Sequence, residues 1–284
     1  MKIGAGTVTW AFNNASLETA LQEIATTGIK YIDIIGMLHG DPDTMTQRKK
    51  QACNHIIADN GLVISSILAV RPGTNIATID QAARRRCKDY FLKIIELCDY
   101  FDAKEICFMA GHNEIGSEPD TAWKQAIEFS NWIADACAAS GLYATYELEW
   151  RTCGIVQSVP QLLNMIRDVN RNNVLSNIDI GHAGLARDSL EAMKQVGSKT
   201  IHLHMNDNDT NQHTNAIPGE GCVPIQDYVQ ALIDGGMLTF SESIGHTIVA
   251  GIEVEDVSGS SIPPLDLITK SRDWILQHIP AIEL

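Results

Sequence analysis

The chain lacks long apolar runs, paired cysteines, linkers and any excess of positive charge. No stretch approaches the about 18 apolar residues of a membrane helix, and Met1 to Trp10 reads as a β-strand rather than a leader. The expectation is a soluble, untargeted, cytoplasmic protein with no membrane partner. The seven cysteines are odd in number, scattered and without a CxxC pair. That excludes a disulfide framework or a Cys-rich zinc site and fits a reducing compartment. Most fall in apolar patterns as small core residues, whereas Cys153 and Cys222 fall in expected loops. There are 21 basic against 35 acidic residues, a net charge of -14. Neutralising phosphates needs a basic face, so a nucleic-acid partner is excluded. The one dense basic run, Arg84-Arg85-Arg86, lies in a helical pattern and reads as a solvated face. No low-complexity tract or shift in composition divides residues 1–284, which are read as one domain.

What is present is an alternation. Short apolar runs stand at Lys2–Val8, Tyr31–Ile35, Val63–Leu68, Glu105–Met109, Tyr143–Glu147, Val174–Asp179, Thr200–His204 and Thr247–Glu253, with amphipathic segments between them. Capping signals bound the helices. Ser16 opens the first and Gly28 ends it; Thr78 with Gln81 reads as a capping box. Gly141 closes the fourth, Ser158 with Pro160 opens the fifth, Gly235-Gly236 ends the helix before the last strand, and Pro263-Pro264 opens the final one. Eight β/α units in an undivided chain with 45% hydrophobic residues predict an α/β (β/α)8 TIM barrel. An open doubly wound sheet is the rival, but its GxGxxG turn is absent after strand one.

In such a barrel the chemistry lies at the C-terminal ends of the strands. Those ends hold Trp10, His39, Arg71, His112, ELEWR from Glu147 to Arg151, DIGH from Asp179 to His182, HLHMNDND from His202, and GIEVED ending at Asp256. Ionisable residues gather there, and the helices hold no comparable cluster of histidines. An acid and an imidazole at the mouth of a buried strand, Asp179 and His182, are costly unless they bind something, and a metal ion is the best candidate. Three strand ends offer doublets two residues apart: Glu147/Glu149, His202/His204 and Glu253/Glu255. Side chains alternate along a strand, so both members share a face and parity leaves the ligand of each doublet open. Trp10 is a pocket wall or core, and His112 a substrate contact or a loop residue. Arg151 and Arg187 are the cations nearest the expected mouth, able to grip a carboxylate.

In its second half the chain reads GLYATYELE, VNRNNVLSNIDIGHAG, IHLHMND, IPGEG and AGIEVED, in that order. In these fragments it resembles the xylose-isomerase-like TIM barrels, in particular their sugar and inosose isomerase/epimerase branch. The resemblance implies one divalent metal ion, Mn, Mg, Co or Zn, held by Glu147, Asp179, His204 and Glu253. It implies that His182 contacts substrate or a second metal, beside expected substrate contacts from His112, Trp10 and Arg151, and that dimers or tetramers form. The chain departs from the family pattern at Leu148, where Asn or Pro is frequent, and at Cys153, where the epimerase branch has a further Glu. The roles of His202, His213, Glu149 and Glu255 stay open.

With three carboxylates and one imidazole, such an ion would stabilise charge as a proton leaves carbon beside a carbonyl. Glu147 and Glu253, on non-adjacent strands, would remove and return that proton. The expected activity is isomerisation or epimerisation of a sugar or polyol through an enediolate, with a dehydratase of a keto-inositol or dehydroshikimate-like acid as the alternative. The loops after strands seven and eight carry no Lys or Arg in NDNDTNQHTN and EDVSGSSIPP. A phosphorylated substrate is therefore not expected, although a Gly/Ser turn at Ser258–Ser261 could hold an anion.

Overall fold

A computed structural model describes residues 1–149, 154–209, 211–255 and 262–284. Arg151, Cys153 and the Ser258–Ser261 turn lie outside the described residues. The strands are β1 (Lys2–Gly6), β2 (Tyr31–Ile35), β3 (Val63–Leu68), β4 (Glu105–Met109), β5 (Tyr143–Glu147), β6 (Val174–Asp179), β7 (Thr200–Met205) and β8 (Val249–Ile252). Each pairs in parallel with the next, and β8 pairs with β1, so the sheet closes into an eight-stranded barrel as the alternation predicts. Helices α1 (Val8–Phe12), α2 (Leu17–Ala25), α3 (Gln47–Asn60), α4 (Gln81–Phe101), α5 (Pro119–Ala139) and α6 (Val159–Val169) surround its first half. The second half has α7 (Ile180–Ala186), α8 (Leu190–Val196), α9 (Ile225–Asp234), α10 (Met237–Ser243) and α11 (Pro264–His278). No helix among the described residues is long and apolar enough to cross a membrane.

The helices form where their apolar positions recur at helical spacing. In α4, Cys87, Phe91, Ile94, Cys98 and Phe101 are buried at intervals of three and four. Phe91 packs edge-on against Phe108 of β4 and Phe129 of α5, which ties two helices to the sheet. The start of the basic run is not solvated: Arg84 is 5% exposed, with its guanidinium over Phe129 and paired to Glu128 at 3.1 Å. Its long stem lets one cation of the three pack into the α4–α5 seam.

Local signals place most boundaries and misplace a few. The Ser16 side chain accepts from Thr19 N, as a cap at that position should. The cap of α4 is Asp80, not Thr78: Asp80 Oδ1 accepts from Ala83 N at 2.6 Å, while Thr78 Oγ1 accepts from Asp80 N. β1 stops at Gly6 rather than continuing to Trp10. Thr7 ends the ladder by donating its N–H to Asp33 O and accepting from Ile35 N, and the chain coils into α1. Gly235-Gly236 does end α9, but α10 intervenes before β8.

Candidate active site

The register of the last strands sets the site. Glu147 lies level with Asn177, and Asp179 with His204 and Gly251. A shift between Ser176 and Asn177 brings the β6 and β7 side chains to matching heights inside the barrel. One ligand atom from each of Glu147, Asp179, His204 and Glu253 falls within 4.8 Å of the other three. These are the four residues that the resemblance implies, drawn from β5, β6, β7 and the chain just after β8. His204 Nδ1 lies 2.6 Å from Glu147 Oε1 and 2.7 Å from Glu253 Oε2. Glu147, Asp179 and His204 are buried, and Glu253 is 12% exposed at the cavity floor. Three carboxylates around one imidazole, nearly out of water, are a concentration of negative charge that a divalent cation fits by charge and by donor type.

The electrostatics follow from that packing. Burial disfavours the charged form of His204, but Glu253 and Glu147 overcome it and hold its pKa well above the usual value. Burial raises Glu147, whereas His204 outweighs burial at Glu253 and lowers it. At the mouth, burial and the neighbouring Glu253 push Glu255 up to about 7.

The DIGH segment divides its work between metal set and helix start. Asp179 is the N-cap of α7: its Oδ1 accepts from His182 N at 2.6 Å and its Oδ2 accepts from Asn206 Nδ2 at 2.8 Å. Gly181 allows this approach, because a Cβ there would stand 1.7 Å from Asn206 Oδ1. His182 is 6% exposed; its Nδ1–H donates to Leu148 O at 3.0 Å, and its Nε2 shares a hydrogen bond with His213 Nε2 at 2.8 Å. Burial lowers the pKa of His182, but Asp179, Glu147 and Glu149 prevail and raise it to about 9.

Above the four residues opens a cavity of about 430 Å³. Its polar side holds Glu147, Glu149, His182, His213, Glu253 and Glu255. Its apolar side holds Phe12, Ile35, Met37, Leu68, Val70 and Met109. His112 lines it too, as expected for a substrate contact, and so does Arg71, whose guanidinium is engaged by Asp43 at 2.7 Å and Asp41 at 3.6 Å. Trp10 is a correction. It is 1% exposed in the core, its Nε1–H donating to Glu23 Oε2 at 2.7 Å, because α1 turns it toward α2 instead of the cavity. Arg151 cannot be placed, being outside the described residues, and Arg187 is an exposed residue ending α7.

Several working residues carry no local signal of their role. In the MND tripeptide and the residue after it, Asn206 steadies Asp179, and the Asp207 carboxylate accepts N–H groups from Gly219 and Gly221 of IPGEG and from Val223 just beyond it. Asn208 Oδ1 accepts from Thr214 N and Asn215 N. Deeper in the barrel, His202 lies between Glu105 Oε1 and Asp33 Oδ2, each at 3.1 Å, so it is the satisfied buried histidine of its doublet. Burial lowers its pKa, but Asp33 and Glu105 raise it to about 10; the same pairing overcomes burial at Glu105 and lowers that carboxyl to about 2. Asp33, His202 and His204 also lie within metal-ligating distance of one another, but the first two already satisfy each other.

A model of the family described as xylose isomerase-like TIM barrel matches residues 21–278. Among characterised proteins, the chain is 24% identical over 169 residues to fructoselysine 3-epimerase of Shigella flexneri, covering 59% of this chain and 61% of that one. The chain thus matches about three fifths of that relative's length. It is 23% identical over 258 residues to D-psicose 3-epimerase of Agrobacterium fabrum, covering 85% of each. Among solved structures, the IOLI protein with a binding zinc atom superposes with a TM-score of 0.84 at 17% identity, over 99% of each chain. D-psicose 3-epimerase with D-tagatose from Clostridium cellulolyticum H10 gives 0.80 at 16% identity, over 98% of this chain and 99% of that one. These superpositions agree with the closed barrel, and the match over residues 21–278 shows that the chain belongs to the xylose isomerase-like TIM barrel family.

Proposed function

We propose that the protein is a divalent-metal-dependent isomerase or epimerase of a non-phosphorylated keto-sugar or inosose. The observation that carries this reading is the convergence of Glu147, Asp179, His204 and Glu253 beside a cavity large enough for a sugar, with Glu147 and Glu253 in its lining. The relatives support it, being named as 3-epimerases of fructoselysine and D-psicose. A bound Mn, Mg, Co or Zn ion would supply Lewis-acid stabilisation of the oxyanion that develops beside the departing proton.

The remaining work falls to the chain's own groups. Glu147 and Glu253 reach the floor from β5 and from beyond β8, separated around the ring by β6 and β7, so their carboxylates flank a substrate from two sides. One takes a proton from the carbon next to the carbonyl and the other returns one, through an enediolate of the substrate. His182, His213 and His112 line the cavity, and His182 Nε2, bonded to His213 Nε2 at 2.8 Å, would exchange that partner for a substrate hydroxyl. Glu149 and Glu255 at the mouth, with Arg71 already engaged by Asp41 and Asp43, disfavour a phosphate or carboxylate group and suit a neutral polyol.

Turnover of ketoses and inososes with Mn²⁺ in D₂O tests the reading. Deuterium should appear at one substrate carbon without loss of mass as water. Loss of a hydroxyl would identify a dehydratase, and failure to turn over any member of either class would remove the proposal.

A further inference from the structure

The mouth of the barrel is divided between the strands that line it. The ends of β5 to β8 and the loops after them supply the cavity's carboxylates and imidazoles, from Glu147 and Glu149 round to Glu253 and Glu255. The ends of β2 to β4 supply Ile35, Met37, Leu68, Val70 and Met109, and α1 adds Phe12. This apolar wall begins beside the metal set, since Ile35 and Leu68 share a crevice with His204 and Glu253. It ends in solvent at Phe12, which is 45% exposed against 5% for Ile35 and 7% for Leu68. Val70 and Met109 also line a side pocket of about 160 Å³ with Ala69, Ile76 and Phe91.

The wall offers a hydroxyl almost nothing. Its side chains are hydrocarbon, save two thioethers that accept only weakly. Its main chain is engaged in bonds of its own: Ile35 O accepts from Gly40 N, Met37 O from His39 N, and Leu68 O from both Gly36 N and Val70 N. Ile35 N–H donates to Thr7 Oγ1, and Val70 O accepts from the Tyr90 hydroxyl. The polar groups of this half, Thr74, His112 and an Arg71 held by Asp43, come later in the chain, in the loops beyond β3 and β4. A sugar hydroxyl pressed against the wall loses its water without replacement, whereas a methyl group there takes apolar surface out of water. We infer that the substrate is a keto-sugar whose end remote from the carbonyl is apolar, a terminal-deoxy ketose, seated with that end on Ile35, Leu68, Val70 and Met109. The inference rests on the isomerase or epimerase reading and narrows it, because an inosose, with oxygen on every ring carbon, has no such end.

Titration of the methionine-methyl-labelled full chain, in Mg²⁺, with a ketohexose and with its terminal-deoxy counterpart tests the subsite. The deoxy sugar should bind about tenfold or more tightly and should move the methyl resonances of Met37 and Met109. Val70→Thr and Met37→Gln, both at half-buried positions, bring a hydrogen-bonding group to the wall and should each narrow that ratio severalfold. Equal or tighter binding of the hydroxylated sugar, no binding of either, unmoved Met37 and Met109 methyls, or a ratio unchanged in both variants would overturn the inference. Turnover of the same pair in D₂O separates it from the reaction proposed above. Preferred binding of the deoxy sugar without deuterium exchange would remove the isomerase and keep the apolar subsite. Exchange with the hydroxylated sugar favoured would do the reverse.

Discussion

His202 and His204 stand two residues apart on the same face of β7, and each imidazole is gripped by two carboxylates. His204 has Glu147 and Glu253, with a third carboxylate, Asp179, in reach and a cavity above. His202 has Asp33 and Glu105, one on each ring nitrogen, and 1% exposure. A buried histidine between two acids is therefore not by itself a metal site. The upper cluster holds more negative charge than its imidazole neutralises and opens to a cavity, so it suits an incoming cation and a reaction. The lower cluster has one imidazole, His202, between its two carboxylates, with His246 also on Glu105, and works as an ionic tie across β2, β4 and β7.

The largest contrast should appear in turnover. Glu253→Gln removes a carboxylate proposed to move a proton and should lower kcat by about 10²–10⁴-fold while partial metal binding persists; wild-type turnover would remove Glu253 from the chemistry. His202→Gln should instead leave metal stoichiometry intact and cost about 3–5 kcal/mol in denaturant unfolding, because Asp33 and Glu105 are left buried without their partner. Loss of metal with unchanged stability would reverse the roles assigned to the two histidines.

The pH response sharpens the contrast further. His202 has its pKa raised from 6.5 to about 10, so its contribution is full below pH 6.5 and is lost as pH rises toward 10. Glu105 has its pKa lowered from 4.5 to about 2, so its contribution is full above pH 4.5 and is lost as pH falls toward 2. The stability difference between wild type and His202→Gln should therefore peak between pH 4.5 and 6.5, and a monotonic profile would contradict the pairing. At the upper cluster a metal must displace the proton that Glu253 and Glu147 hold on His204, so apparent Mn²⁺ affinity should fall as pH falls, by at most about tenfold per pH unit.

The smallest effect belongs to packing near the lower cluster. Gly251 has no side chain where a Cβ would stand 1.9 Å from Asp33 Oδ2. Gly251→Ala should cost about 1–3 kcal/mol in thermal unfolding. An unchanged melting temperature would show that Asp33 yields freely.

The barrel and the strand-end doublets were legible because their signals are local, whereas the choice of Glu147, His204 and Glu253 within the doublets came from the family resemblance. Strand runs such as Tyr143–Glu147 and Val174–Asp179 stand in the fold as read, and strand ends are where a barrel gathers polar groups. The lower cluster was not legible, because His202 meets Asp33 across 169 residues of sequence and neither position marks the other. Trp10 misled because its reading depended on β1 running past Gly6, whereas Thr7 turns the chain by bonding to β2. Parity could not separate His202 from His204 either, since both point inward; the third carboxylate and the cavity distinguish them, and both belong to the assembled barrel.

The distinction between the two histidines is tested most directly by anomalous diffraction from crystals grown with Mn²⁺. One peak bounded by Glu147, Asp179, His204 and Glu253, with none between Asp33 and His202, is the predicted result. A peak at the lower cluster, or none at the upper one, would contradict it.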